Sequence, residues 1–320
     1  MDTLLVATAI SLTASQAFGW GEDGHKAIWE VAQQRLTPAA KTRVDSILAN
    51  DKLELTSVWL DLVRDVGKGK GGPLETDAEA IAFNQQFKYN ATWHYVNLPL
   101  AAKSYDSAPE FHGIDNIVTQ IRVANDVLAG KSNAMAQKAA LRVLVHLVGD
   151  IHQPLHCSAG FFDISDKSQP LLCTEPSKCK ILADQKCGDQ GGNLLFFGPE
   201  KYDQLHAYWD SDAVYRVAPV GGLAHHLQKL APTVKATTEG QPDTWPAQWA
   251  SESVQIAAKA YEGLKFGRCS PPVDGKGLGP IGRIEVTLPP GYDDYSKKVA
   301  ADQLTKAAMR LAFLLNGLFK

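Results

Sequence analysis

Residues 146–156 read His-Leu-Val-Gly-Asp-Ile-His-Gln-Pro-Leu-His, and no other stretch constrains the chain as tightly. His146 and Asp150 are four apart, so on a helix they project from one face, a turn apart. The residues before them, Ala139, Ala140, Leu141, Val143, Leu144 and Val145, are apolar on nearly every side, which predicts a buried helix over Ala134–Asp150. A histidine and an aspartate entering a core together carry a desolvation cost of roughly several kcal/mol unless something pairs with them. A divalent cation is the commonest partner for such a pair. Pro154 then stops the helix, and His156 follows on the turn, free to face the same cavity.

The same period recurs along the chain. Helices are expected at Gly24–Leu36, from Thr37-Pro38 (an N-cap followed by proline at the first helical position) to about Ala49, and at Ser57–Val66, His112–Leu128, Lys201–Val214, Ala247–Gly263 and Tyr295–Leu318. Strand signals are few: Ile284–Leu288 and Leu194–Phe197. The loop 67–73 is glycine-rich but lacks the Gly-Lys-Ser/Thr of a phosphate-cradling loop. The segment Ser158–Gly192, rich in polar residues, Pro, Gly and Cys, reads as an elaborated surface loop near the site. A length of 320 residues can still form one large core, so one mainly α domain with minor β is the simplest account.

Thr3–Ala17 is apolar or small, and Ala17-Phe18-Gly19 resembles a signal-peptidase site. Residues 1–19 are therefore expected to be a cleaved signal peptide and 20–320 the folded domain, secreted or periplasmic. Asp2, and the absence of Lys or Arg before the apolar run, depart from the usual pattern; a structural N-terminal helix is the alternative. No other segment is long and apolar enough to span a bilayer, and a monomer is expected. Four of the five cysteines (Cys157, Cys173, Cys179, Cys187, Cys269) fall within one window of 31 residues, which suits local disulfides in an exported protein. No Cys-x-x-Cys pair suggests structural zinc. The formal charge of −3 lacks the basic excess of a generic nucleic-acid-binding surface, but bound divalent ions would offset it where a phosphate sits.

Further polar residues stand in apolar surroundings. Trp59-Leu60-Asp61 puts an acid on a helix between large apolar neighbours, and Trp93-His94-Tyr95 puts an imidazole between two aromatics. Leu205-His206 followed by Trp209-Asp210 repeats the His-x-x-x-Asp spacing of 146–150. A single such residue is more often a hydrogen-bonded core group than a ligand. Two such pairs and a nearby histidine point toward a site for several metals.

In order along the chain stand Trp20-Gly-x-x-Gly24-His25, Trp59-x-Asp61, Trp93-His94-Tyr95, His146-x-x-x-Asp150, Gln153-Pro-Leu-His156, Asp189-x-Gly-Gly-Asn193 and His206-x-x-Trp209-Asp210. Each is weak alone; together, from Trp20 to the C-terminal helix, they resemble the zinc-dependent, single-strand-specific nucleases of the mung bean type (the S-one/P-one type). The resemblance implies a mostly helical fold, shared with zinc-dependent phospholipase C, around three zinc ions. One zinc would take Asp61, His94, His146 and Asp150. A close neighbour would take His25, Asp150 as a bridge, and the amino and carbonyl groups of Trp20. The third would take His156, His206 and Asp210.

The resemblance also implies hydrolysis of the P–O3′ bond of single-stranded DNA and RNA to 5′-phosphorylated products, with 3′-nucleotidase activity on 3′-mononucleotides. Asp61 and Asp150 would be catalytic as well as ligating. Arg64, a helical turn after Asp61, would grip phosphate, against a plain salt bridge. Asn193 reads as a phosphate contact or a turn residue, and Tyr95 as a base-stacking platform or core packing. At Asn97 several relatives carry an acid that hydrogen-bonds the base; an amide is both donor and acceptor, so the resemblance does not fix a base preference here. His152 reads as packed or supporting, and Asn90-Ala-Thr92 fits a glycosylation sequon. Rival readings are a zinc phospholipase C on the same fold and an exported zinc-binding protein without catalysis.

Overall fold

The computed structural model describes residues 19–49, 51–69, 72–179, 188–200, 202–218, 222–270 and 282–320. The signal-peptide reading of residues 1–18 and the pairing of Cys187 lie outside the described residues. The α-helices lying wholly within the described residues are α1 (Gly21–Gln33), α2 (Pro38–Leu48), α3 (Leu53–Val63), α4 (Ala78–Gln86), α5 (Ile117–Leu128), α6 (Gln137–Asp150), α7 (Leu205–Ala207), α8 (Ala213–Val217), α9 (Leu223–Leu230), α10 (Trp245–Ala260) and α11 (Tyr292–Leu318).

The expected helix α6 is the axis of the molecule. Every residue from Ala139 to Asp150 is buried, and the helix packs on α1, α2, α3, α5 and α11. Burying each of its Leu and Val side chains stabilises by about 1.5–3 kcal/mol before entropy is subtracted. One hydrophobic cluster runs from Trp20 to Phe319, with Trp20, Trp29, Trp59, Trp209 and Trp249 fully buried within it.

Several boundaries differ from expectation for local reasons. α1 starts at Gly21, because Trp20 turns into the left-handed region (φ 50°) and Glu22 and Asp23 favour a helix N-terminus. α3 starts at Leu53 and ends at Val63, which puts Arg64 at its C-cap. α5 starts only at Ile117, where the Asn116 side chain accepts from the amides of Val118 and Thr119. The helix expected over Lys201–Val214 is instead α7, a π turn over Tyr208–Asp212, and α8. Thr37 caps α2 as expected, its Oγ1 accepting from the Ala40 amide at 3.2 Å.

The β structure is small. β1 (Leu98–Pro99) pairs in parallel with β2 (Ser158–Ala159), tying the segment after His94 to the segment after His156. β3 (Phe162–Asp163) pairs antiparallel with β4 (Leu171–Leu172). A three-stranded sheet in the order β5–β7–β6 joins Leu195–Phe196, Ile284–Thr287 and Lys265–Cys269. The described part of Ser158–Gly192 is more than a surface loop. Ser158, Ala159 and Phe162 are fully buried, and Cys173 and Cys179 form a disulfide packed against Ala159 and Phe161. Cys157 and Cys269 are buried free thiols. The Asn90 amide is buried and donates to Asn84 and to the Phe87 carbonyl, so the folded surface does not present the sequon. No helix among the described residues is long and apolar enough to cross a membrane.

Candidate metal centre

Six other elements converge at the C-terminal end of α6. That helix brings His146 and Asp150, α1 brings His25, and α3 brings Asp61. The 3₁₀ turns Asn90–His94 and Pro154–His156 end on His94 and His156. α7 and the π turn after it bring His206 and Asp210. A π turn widens the helix by one residue and recurs at functional sites. Gly149 lets His25 lie across α6, since a Cβ there would stand 2.7 Å from the His25 ring nitrogen. All eight side chains are buried.

They form three groups whose donor atoms lie within 4.8 Å of one another: His25 with Asp61 and His146, His94 with His146 and Asp150, and His156 with His206 and Asp210. Asp150 is the hub. Its Oδ2 lies 2.9 Å from His94 Nδ1 and 3.2 Å from His146 Nε2, and its Oδ1 lies 3.2 Å from His25 Nε2 and 3.8 Å from His156 Nδ1. Asp61 Oδ2 is 3.5 Å from His146 Nε2, and its Oδ1 is 3.7 Å from His94 Nδ1.

Backbone carbonyls orient three of the rings. Nδ1–H of His146 donates to Ser57 at 2.8 Å, that of His156 to His94 at 2.8 Å, and that of His206 to Gly191 at 2.7 Å. Each bond fixes the ring so that Nε2 faces inward. Buried and without a hydrogen-bond partner are both oxygens of Asp61, Asp150 Oδ1, Asp210 Oδ2, His156 Nε2, His94 Nε2 and both ring nitrogens of His25. Leaving so many buried polar atoms unpaired would cost about 1–3 kcal/mol each. Nitrogen and carboxylate donors without thiolate, converging and otherwise unsatisfied, fit zinc.

Electrostatics divides the group. Burial would raise the Asp150 carboxyl, but His146 and then His156 outweigh it and hold it well below the usual range. Burial would lower His146; Asp150 and Asp61 prevail and push it up to about 9. His25 is lowered by burial and by His146, and His156 is lowered to about 3 by burial and by its neighbour His206. Burial raises Asp210 to about 7.

Asp61, His94, His156 and His206 line a cavity of about 640 Å³ whose wall also includes Arg64, Tyr95, Asn97 and Asn193. Arg64 Nη1 stands 3.5 Å from Asp61 Oδ1. Tyr95 is 38% exposed, so it faces the cavity rather than the core. Asn193 also closes its own turn, its Nδ2 donating to the Gln190 carbonyl at 2.8 Å. Phe111 and Phe161, with ring centroids 5.2 Å apart, also line the cavity, although neither adjoins a ligand motif in the sequence. Trp20 is fully buried, and its carbonyl accepts from the Gly24 amide. Gly19 lies so close to Asp150 and His156 that any side chain there would collide with both. His152 points elsewhere: Nδ1 donates to the Val148 carbonyl and Nε2 accepts from Arg310, which makes it a packing residue.

The sequence profile of the S1/P1 Nuclease family matches residues 20–320. Nuclease S1 of Aspergillus oryzae is 24% identical, over 99% of this chain and 98% of its own length. Endonuclease 1 and Endonuclease 2 of Arabidopsis thaliana are 22% and 24% identical, each over 99% of this chain and over 92% and 96% of their own lengths.

Proposed function

The chain belongs to the S1/P1 nuclease family, a family of hydrolases acting on ester bonds of nucleic acid, and from that premise we propose that it is a zinc-dependent endonuclease. Its substrates are single-stranded DNA and RNA, cut at the P–O3′ bond to leave 5′-phosphates, and it removes phosphate from 3′-mononucleotides. The observation that carries this reading is the convergence of three His/Asp groups, with their inward atoms unpaired, on one cavity that also holds an arginine and an exposed tyrosine.

Three zinc ions would be held by Asp61, His94, His146 and Asp150; by His25, Asp150 and Trp20; and by His156, His206 and Asp210. When bound, zinc supplies Lewis-acid polarisation of phosphoryl oxygens and acidification of water. The protein's own part is placement. Asp61 stands beside the Arg64 guanidinium, which lines the cavity and would bind a nonbridging phosphate oxygen and stabilise the charge that grows on it. Asp61 Oδ1, buried beside that guanidinium, accepts the proton of the attacking water. Tyr95 stacks an unpaired base, which a duplex does not offer, and Asn97 and Asn193 hydrogen-bond the nucleotide around it.

The enzyme is exported, cleaved after Gly19, and works as a monomer. A side chain at Gly19 would strike Asp150 and His156, so the chain passes the cluster just before Trp20, which supports that cleavage: only a free α-amine on Trp20 can ligate there. The test is incubation of the zinc-loaded protein with single strands, duplexes, 3′-mononucleotides and phosphatidylcholine. Preferential cutting of single strands to 5′-phosphates, abolished by a chelator, is expected. Hydrolysis of phosphatidylcholine with single strands left intact would replace this reading with the phospholipase one.

A further inference from the structure

Asp189 is a fully buried carboxylate that belongs to none of the three His/Asp groups. Three donors converge on it: the Gly160 amide at 3.0 Å and the Gly192 amide at 3.1 Å on Oδ1, and the Tyr261 hydroxyl at 2.7 Å on Oδ2. Its own amide donates back to the Gly160 carbonyl at 2.9 Å. The turn it heads runs left-handed at Gln190, Gly191 and Gly192 (φ 58°, 63° and 81°). That path brings the Gly191 backbone so close to the Leu155 carbonyl that a side chain would collide with it, and it aims the Gly191 carbonyl at His206 Nδ1. Leu155 precedes His156, and Gly160 ends the segment that follows it. Asp189 therefore ties the turn that orients His206 to the segment that carries His156, and those two rings stack with centroids 4.9 Å apart.

We propose that the Asp189–Tyr261 pair is a buried clamp that sets the separation and orientation of His156 and His206, and so the affinity of the third metal position. The inference rests on the zinc reading above. Asp189 touches no ligand ring, so it is a positioning residue acting through the Gly191 carbonyl and the backbone at Gly160. Three of its roughly four acceptor sites are taken by protein donors, and it stands in none of the three His/Asp groups. Tyr261 supplies the only side-chain hydroxyl among those donors, and losing it leaves Oδ2 buried without a partner.

The test is zinc competition with a graded chelator on Tyr261→Phe and Asp189→Asn, read as zinc retained per chain, with circular dichroism and melting temperature measured alongside. Tyr261→Phe, which removes one oxygen, is expected to weaken one zinc about tenfold or more while two are retained at wild-type chelator concentrations. Asp189→Asn should do the same more strongly, and should it fail to fold, the tyrosine variant carries the same readout. A lower melting temperature with all zinc affinities unchanged, or an equal loss of all zinc, would overturn the clamp. The zinc reading itself is judged on the wild type, where failure to bind zinc or cut nucleic acid would be seen before any variant is compared.

Discussion

Gln153 Nε2 donates to Asp210 Oδ1 over 2.7 Å, joining the end of the α6 segment to the π turn 57 residues later. The amide cannot flip, because its Oε1 accepts the Leu155 N–H at 2.6 Å. Both side chains are buried, so this bond holds Asp210 with Oδ2 unpaired, 3.4 Å from His206 Nε2.

Gln153→Leu, close in volume but without the donor, should free the Asp210 carboxylate to rotate. The expected result is a loss of about 10–100-fold in affinity for one zinc, with the fold retained by circular dichroism. Unchanged zinc binding would show that the bond only stabilises packing.

The hub position of Asp150 predicts an asymmetry between two variants. Asp150→Ala should empty two metal positions and lower kcat by at least about a thousandfold. His156→Ala should chiefly empty one. Elemental analysis of the dialysed proteins separates them, and equal zinc losses would remove Asp150 from the bridge.

Arg64 is held by Asp61 and lines the cavity. Arg64→Ala should lower kcat on single strands about 100–1,000-fold with zinc content intact, and Arg64→Lys should recover only part, because an ammonium cannot make the bidentate contact. A rise in KM alone would make it a binding residue without a role in charge stabilisation.

How much of this could be read in the chain depends on how local each signal is. The His146–Asp150 and His206–Asp210 pairs are legible because their spacing is a property of one helix. The mainly α fold follows from the same periodicity. The Ser57 carbonyl under His146, the Asp189 clamp and the Gln153–Asp210 bond are not legible, because each joins segments far apart in sequence, and backbone acceptors carry no side-chain signature. Local chemistry also moved the helix boundaries: the left-handed Trp20 and the Asn116 cap shifted the starts of α1 and α5, and a π turn interrupted the helix expected over Lys201–Val214. Phe161 adjoins no ligand motif in the sequence, and only the fold puts it between the disulfide and the cavity.

Away from the site, Glu252 meets Arg310 and Lys306 and lies beside His152. Burial would raise its carboxyl, but Arg310 foremost holds it down to about 2. A carboxyl lowered on folding stabilises the native state above its unfolded value near 4.5, and that stabilisation is lost as pH falls toward about 2. Glu252→Gln should therefore cost about 1–3 kcal/mol at pH 7, and the gap to wild type should close between about pH 4.5 and pH 2. Urea midpoints across that range check it; a gap independent of pH would mean the loss is one of packing.

The proposed function requires that eight buried His and Asp side chains and the Trp20 amine hold three zinc ions. Anomalous diffraction at the zinc edge, on crystals of protein shown by N-terminal sequencing to begin at Trp20, tests it most directly. Three peaks are expected: two flanking Asp150, and one among His156, His206 and Asp210. A single peak, or peaks away from these groups, would contradict it.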